Sequence, residues 1–377
     1  MDKNTITGLV LIAAVLFGYS FWANRNAGKY AEEHPAEKVE DTKPKALQQT
    51  SLAETPSPTE NADTASLFYA SRQRNAQEAV ILRNEKAEVL INPKGGQVAR
   101  VNLKEYKSYQ EYHAGGNAPL NLYNEKDARM NFVFETKEEN LSTDDYFFTA
   151  ENVSDTAVTM VLADPSGVRI SFDYELSDDY MLNMSVRTEG LKHLMPAKVR
   201  TFSLEWEDRV RQHEKGFYFE NMYSTLTYKE SDGNTEKLKE QGSEEETAEK
   251  DVRWIAFKNQ YFSSCLISKS PLSGCKFYST QLDEGSSYLK AYKAEAEVEF
   301  DTSGQKPTEL QFYFGPNNFR LLQSMDRQRI TEDDLDLQDL VYLGWPVVRW
   351  INRFFTLYVF DFLTAAKLPM WLVLLLI

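Results

Sequence analysis

Residues 168–186 read VRISFDYELSDDYMLNMSV. Val168, Ile170, Phe172, Tyr174 and Leu176 alternate with polar neighbours, and after a Ser-Asp-Asp turn Tyr180, Leu182, Met184 and Val186 do the same. Successive side chains of a strand point to opposite faces, so this pattern predicts two antiparallel strands with one face on a core and one in water. Working outward, AEVLI at 87–91, NPKGG at 92–96 and QVARVNL at 97–103 read as a hairpin, with Gly95 and Gly96 taking the positive-φ positions of the turn. Further strands are expected at 199–206, 217–228, 253–257, 261–268, 276–280, 288–300 and 309–314. Residues 230–250, nearly all Glu, Lys, Gly, Ser and Thr, read as a mobile loop. Long antiparallel strands over 67–316 predict a mainly β fold, a large sandwich of two stacked sheets.

The 377 residues carry a formal net charge of −15. With no basic stripe to displace counterions from a phosphate backbone, nucleic acid is excluded as a partner. Cys265 and Cys275 have neither CxxC nor zinc spacing. They flank SPLSG, so a hairpin there would bring them within reach of a disulfide; two buried free thiols is the expected alternative.

No catalytic, cofactor or metal motif stands out. His34, His113, His193 and His213 are scattered without metal-ligand spacing, and no GxSxG, Walker loop or GxGxxG occurs. His213 follows Glu205, Glu207 and Asp208, a set that reads either as an acid-base pair for sugar chemistry or as a surface ion-pair cluster.

At the N-terminus no charge occurs from Ile6 to Trp22, the short end of a membrane span. Phe21 and Trp22 stand where a cleavage site needs small residues, so residues 1–29 read as an uncleaved anchor. Residues 30–66 have almost no large apolar side chain and read as a disordered acidic tether. At the other end, Asn317 or Asn318 is expected to cap a helix over 319–329, and Thr331 to open an acidic helix running to Leu343.

Residues 344–367 form an amphipathic pattern. Wound as a helix from Pro346, they place Val347, Trp350, Ile351, Phe354, Tyr358 and Phe362 on one face and Arg349, Asn352, Arg353 and Thr356 on the other. Such a helix lies in the membrane interface, its apolar face among acyl chains and its guanidinium groups at lipid phosphates. Trp345, Arg349, Trp350, Arg353, Phe354, Phe355 and Tyr358 are the candidate interface residues. Residues 368–377, ending MWLVLLLI, read as the start of a second transmembrane helix.

Taken together, the opening MDKNTITGLVLIAAVLFGYSFW, the INPKGGQVARVNLKEY hairpin, WIAFKNQYFSSCLI, FYFGPNNFRLLQS and GWPVVRWINRFF resemble the YidC family of bacterial membrane protein insertases. The resemblance implies a first helix with its N-terminus in the cytoplasm, a periplasmic β-supersandwich similar to mutarotase-like folds, and a bacterial inner-membrane location. It also implies a non-enzymatic chaperone role: inserting nascent membrane proteins into the lipid bilayer, alone or beside the Sec translocon, including SecD or SecF. The family's groove arginine has no counterpart here; Arg349 and Arg353 precede the second span. Two rival readings remain, a periplasmic adaptor that docks translocon subunits and a membrane-anchored carbohydrate-active sandwich, carbohydrate-binding or mutarotase-like.

Overall fold

The computed structural model describes residues 67–73, 78–325, 331, 334–344 and 351–376. The chain divides into two compact units, Met1–Thr59 and Glu60–Ile377. The expected anchor and tether at 1–66 lie outside the described residues. The β architecture belongs to the second unit.

Eighteen strands occur among the described residues. A small antiparallel sheet holds β1 (Val80–Arg83), β2 (Ala87–Asn92), β3 (Gln97–Leu103) and β4 (Leu120–Tyr123) in that order. Next come β5 (Ala128–Glu135), β6 (Asn140–Ser142), β7 (Thr149–Glu151), β8 (Ala157–Ala163), β9 (Arg169–Leu176), β10 (Met181–Glu189) and β11 (Thr201–Arg211). The series ends with β12 (Thr225–Glu230), β13 (Thr235–Lys237), β14 (Ser243–Thr247), β15 (Val252–Lys258), β16 (Phe262–Gln281), β17 (Tyr288–Glu299) and β18 (Thr308–Pro316).

The alternating stretch is β9 and β10, paired antiparallel from Leu182 on Leu176 to Glu189 on Arg169. The expected hairpin is β2 and β3, with Gly95 and Gly96 at φ of +77° and +62°. Gly96 has a second reason to be glycine. A Cβ there would stand 3.0 Å from the rings of Phe148 and Phe172, and its carbonyl accepts the Tyr174 hydroxyl at 2.9 Å.

The large assembly is two layers joined by one strand. β16 runs 20 residues. Its first part, Phe262–Ser268, pairs with β15 and β18 in the layer ordered β13-β12-β15-β16-β18-β10-β9-β8-β7. Its second part, from Ser273, pairs with β17 and β14 in the layer ordered β6-β5-β11-β17-β16-β14. SPLSG is therefore a corner and not a hairpin turn. Pro271 has no N–H to place in a ladder, and Gly274 takes φ of +59° where the register with β17 shifts. Cys265 and Cys275 lie ten residues apart on this one strand, roughly 30 Å at ~3.3 Å per residue before bending, far beyond disulfide reach. Both are buried free thiols.

Aromatic pairs fill the space between the layers. Trp206 of β11 stacks on Phe257 of β15 at 3.9 Å between ring centroids, and Tyr228 of β12 stacks on Phe277 of β16 at 4.4 Å. Phe132 meets Phe172 edge-on at 5.3 Å.

Three further expectations are corrected. Residues 217–228 are not one strand: Phe217–Met222 is helical, because the Glu220 carboxylate turns back to accept the main-chain N–H groups of His213 and Glu214, and the strand starts at Thr225. Residues 230–250 are not a loop but carry the edge strands β13 and β14, whose Glu246 accepts the Tyr228 hydroxyl at 2.7 Å. The acidic helix from Thr331 is absent among the described residues; 337–340 form a single 3-10 turn. Its carboxylates serve tertiary contacts instead. Asp336, at φ of +49°, binds the buried Lys229 amine at 2.9 Å, and the carbonyl of Leu335 accepts the Trp254 indole N–H at 2.7 Å. Helix 319–325 does form, capped as expected: Asn318 Oδ1 accepts the N–H groups of Arg320 and Leu321.

Because Gly96 combines positive φ with ring contact, Gly96→Ala is expected to destabilise the fold by about 1–3 kcal/mol. Urea unfolding of the chain measures it, and an unchanged midpoint would contradict the close packing described.

Candidate functional site

Two places have chemistry to weigh, the buried polar groups of the sandwich and the C-terminal helical segment. Glu205 and Glu207 point outward from β11 and form a surface ladder with Arg129, at 3.2 and 3.9 Å. Asp208 points inward and is buried; desolvation and the nearby Asp127 hold its carboxyl well above the usual carboxylate range. Asp127 is clamped by Arg209 at 3.0 Å, Arg211 Nε at 2.6 Å and the Tyr288 hydroxyl at 2.7 Å. His213 does not join these carboxylates. Its ring is buried against Phe262 and its Nε2 has no protein partner; burial, then the Arg211 charge, lowers its pKa to about 4. Its main-chain N–H donates to Glu220, whose carboxyl burial pushes up to about 7. The expected alternative of a surface ion-pair cluster thus describes Glu205 and Glu207, while His213 belongs to a separate buried knot. No cluster of three or more potential metal ligands occurs among the described residues.

The C-terminal segment leaves the sandwich through FYFGPNNF. The Tyr313 hydroxyl donates to the Pro316 carbonyl at 2.7 Å, fixing the turn out of β18. Asn317 then binds the β15–β16 turn, accepting from Ser263 Oγ at 2.6 Å and donating to the Asn259 carbonyl at 3.0 Å. With Asn318 capping the helix, Arg320 projects to the C-terminal helical segment. Its Nη2 lies 2.8 Å from Asp361 Oδ2 and its guanidinium 4.6 Å from the centre of the Tyr358 ring. Asn352 adds a hydrogen bond to the Leu343 carbonyl at 3.0 Å.

The segment is not a uniform α-helix. Asn352–Thr356 is π-helical, with Leu357 N–H donating to Asn352 O, followed by α-helix at Leu357–Ala365; Lys367 at φ of +56° and Pro369 interrupt before a second short helix, Met370–Leu376. Ile351, Phe355, Tyr358 and Phe362, spaced four, three and four apart, are 42, 65, 57 and 72% exposed. That spacing is one helix face. Trp371 and Leu374 continue the exposure. An exposed apolar stripe of this kind marks a surface that meets lipid or protein.

Of the candidate interface residues, Phe355 and Tyr358 stand on the exposed stripe. Trp345, Arg349 and Trp350, and the side chains of Arg353 and Phe354, lie outside the described residues. The Arg320–Asp361 contact is not among the sequence expectations, although a lone acid inside an apolar run is a signal that a cation should face it. No helix among the described residues is long and apolar enough to cross a membrane.

Residues 80–358 match the YidC periplasmic domain family. The chain belongs to the YidC family. The membrane protein insertase YidC of Phocaeicola vulgatus is 39% identical over 381 residues, covering 100% of this chain and 60% of that protein. The chain therefore spans about 60% of the length of the curated relatives it matches. Among solved structures, a putative aldose 1-epimerase from Escherichia coli K12 aligns at TM-score 0.39 with 9% identity, covering 63% of this chain and 99% of its own. The periplasmic domain of the Thermotoga maritima YidC aligns at TM-score 0.34 with 11% identity, covering 71% and 96%. Superpositions that loose add nothing to the family match.

The buried knot has a pH signature. Glu220, raised from 4.5 to about 7, contributes stability that is full below pH 4.5 and lost as pH rises through 7; His213, lowered from 6.5 to about 4, contributes stability that is full above 6.5 and lost as pH falls through 4. The two slopes oppose each other between 4.5 and 6.5. Glu220→Gln removes one of them, so the variant's stability should climb more steeply with pH across that window, by at most ~1.4 kcal/mol per pH unit. Urea midpoints taken across the window test this; profiles parallel to the parent's would refute it.

Proposed function

We propose that this chain forms the N-terminal part of a bacterial inner-membrane insertase, anchored by its first helix, with residues 67–316 and the helices to 343 in the periplasm. In this reading residues 344–367 lie in the membrane interface, and Trp345, Arg349, Trp350, Arg353, Phe354, Phe355 and Tyr358 contact lipid. The protein inserts and helps fold nascent membrane proteins, alone or beside the Sec translocon with SecD or SecF, and its work is physical rather than catalytic.

The observation that carries the reading is the stripe of Ile351, Phe355, Tyr358 and Phe362, left uncovered in a segment hinged to the sandwich at Arg320. Family membership supports the membrane setting. A helix held this way lies flat, apolar side into the acyl boundary, where it can thin or order lipid beside the path of an inserting substrate.

Replacing Trp350, Phe354 and Phe355 together with Ser in the full-length protein is expected to lower insertion of a Sec-independent substrate several-fold while leaving the sandwich folded. Protease-protection assays in proteoliposomes measure it; wild-type insertion by the triple variant would sink the role given to this helix.

A further inference from the structure

The sandwich carries a second set of exposed aromatics, far in sequence from the helical stripe. Tyr112, Tyr218, Phe219 and Tyr261 are 74, 62, 63 and 50% exposed. They come from three different connections, yet short contacts gather them at one pole. Tyr109 N–H donates to the His213 carbonyl at 2.7 Å and Lys215 stands over the Tyr109 ring, which joins the 109–113 helix to the segment leading to Tyr218 and Phe219. The His213 and Tyr106 rings both meet Phe262, next to Tyr261, at 6.1 and 5.1 Å. The Tyr261 carbonyl in turn accepts the Asn317 main-chain N–H at 2.6 Å, three residues before Arg320 and its pair Asp361. The exposed aromatics therefore share the pole from which the C-terminal segment departs.

The opposite pole is built differently. β18 runs from Thr308 to Pro316, so the 301–307 turn lies a strand length, roughly 30 Å, from Asn317. That turn reads DTSGQKP, and the neighbouring 163–167 turn reads ADPSG; neither has an aromatic residue. Lysines stand beside these rings: Lys107 lies five residues before Tyr112 and Lys215 three before Tyr218, while the carboxylates of the 177–180 and 282–287 turns at the same pole belong to other connections. Tyrosine and phenylalanine interleaved with lysine are what a surface seated in the headgroup layer uses, rings at the acyl boundary and amines at phosphates.

We propose that this pole is a second membrane-docking surface, in which Tyr112, Tyr218, Phe219 and Tyr261 enter the interface of an anionic bilayer and Lys107 and Lys215 meet its phosphates. The proposal rests on the reading that the 351–362 stripe lies in the membrane. Docking at both places holds the sandwich with β18 pointing its C-terminal end at the bilayer and keeps the domain from swinging freely on its hinge.

The test is a depth measurement on the full chain in bilayers of phosphatidylethanolamine and phosphatidylglycerol. Spin labels are placed on single cysteines in Tyr112→Cys, Phe219→Cys and Tyr261→Cys, with Phe355→Cys and Gln305→Cys as references; the buried Cys265 and Cys275, their thiols pushed up in pKa by desolvation, stay unlabelled. The expected result is a several-fold higher ratio of oxygen to nickel-chelate accessibility at 112, 219 and 261 than at 305, falling when phosphatidylcholine replaces the anionic mixture. Ratios equal to that of 305 while 355 reports lipid would overturn this proposal and leave the helix reading standing. A water-exposed 355 would overturn both. Loss of oxygen and nickel access together would mark a protein contact and overturn the lipid assignment.

Discussion

The structure depends on one strand belonging to two sheets. Residues 262–268 of β16 are buried at every position, hydrogen-bonded to β15 on one edge and β18 on the other. After the Pro271–Gly274 corner the burial alternates, and the same strand becomes part of the opposite layer. The layers cannot slide, since any shift in one ladder is transmitted through the corner to the other. The stacked pairs Trp206–Phe257 and Tyr228–Phe277 follow from that fixed offset. So does the exit of the C-terminal segment: β16 begins at the turn that Asn259 and Asn317 tie to the end of β18.

The legible part of the sequence is whatever alternates. β9, β10 and the β2–β3 hairpin each have one dry and one wet face, and period two shows through directly. β16 reads as two strands in sequence because a corner and a hairpin call for the same residues, a Pro without an N–H and a Gly at positive φ; only pairing partners tell them apart. The edge strands β13 and β14 escape a sequence reading because edges are kept soluble with charge, which erases the apolar half of the pattern. The acidic run after Thr331 has the composition of a helix start, but Lys229, about a hundred positions away in sequence, claims its carboxylates. The apolar stripe of the candidate site is readable from its helical period, whereas the Arg320–Asp361 contact joins residues 41 positions apart and no local pattern announces it.

The polar groups inside the sandwich are used to fix backbone. Asp127 holds β11 to β17 through Arg209, Arg211 and Tyr288; Glu220 gathers main-chain donors of its own loop; Lys229 fastens the strap that begins at Asp334. In each ion pair one partner is buried and the other partly exposed, so the pair holds a buried charge in place while water screens part of its strength. Stiffness at the strap matters, because 334–343 is the last part of the sandwich before the C-terminal helical segment.

Beyond that strap the balance changes. The described contacts that hold the 351–365 helix to the sandwich are an exposed ion pair, a cation–π contact and one hydrogen bond. Each is worth on the order of 0.5–1 kcal/mol when solvated. Moving the side chains of Ile351, Phe355, Tyr358 and Phe362 from water into an apolar phase favours burial by ~1.5–3 kcal/mol for each fully buried large apolar side chain. In the proposed interfacial setting the lipid term exceeds the docking term, so a bilayer would set the position of the helix and the sandwich would adjust to it. Arg320 would then guide orientation: too weak to pull the stripe out of lipid, yet sufficient to bias which side of the sandwich turns toward the membrane.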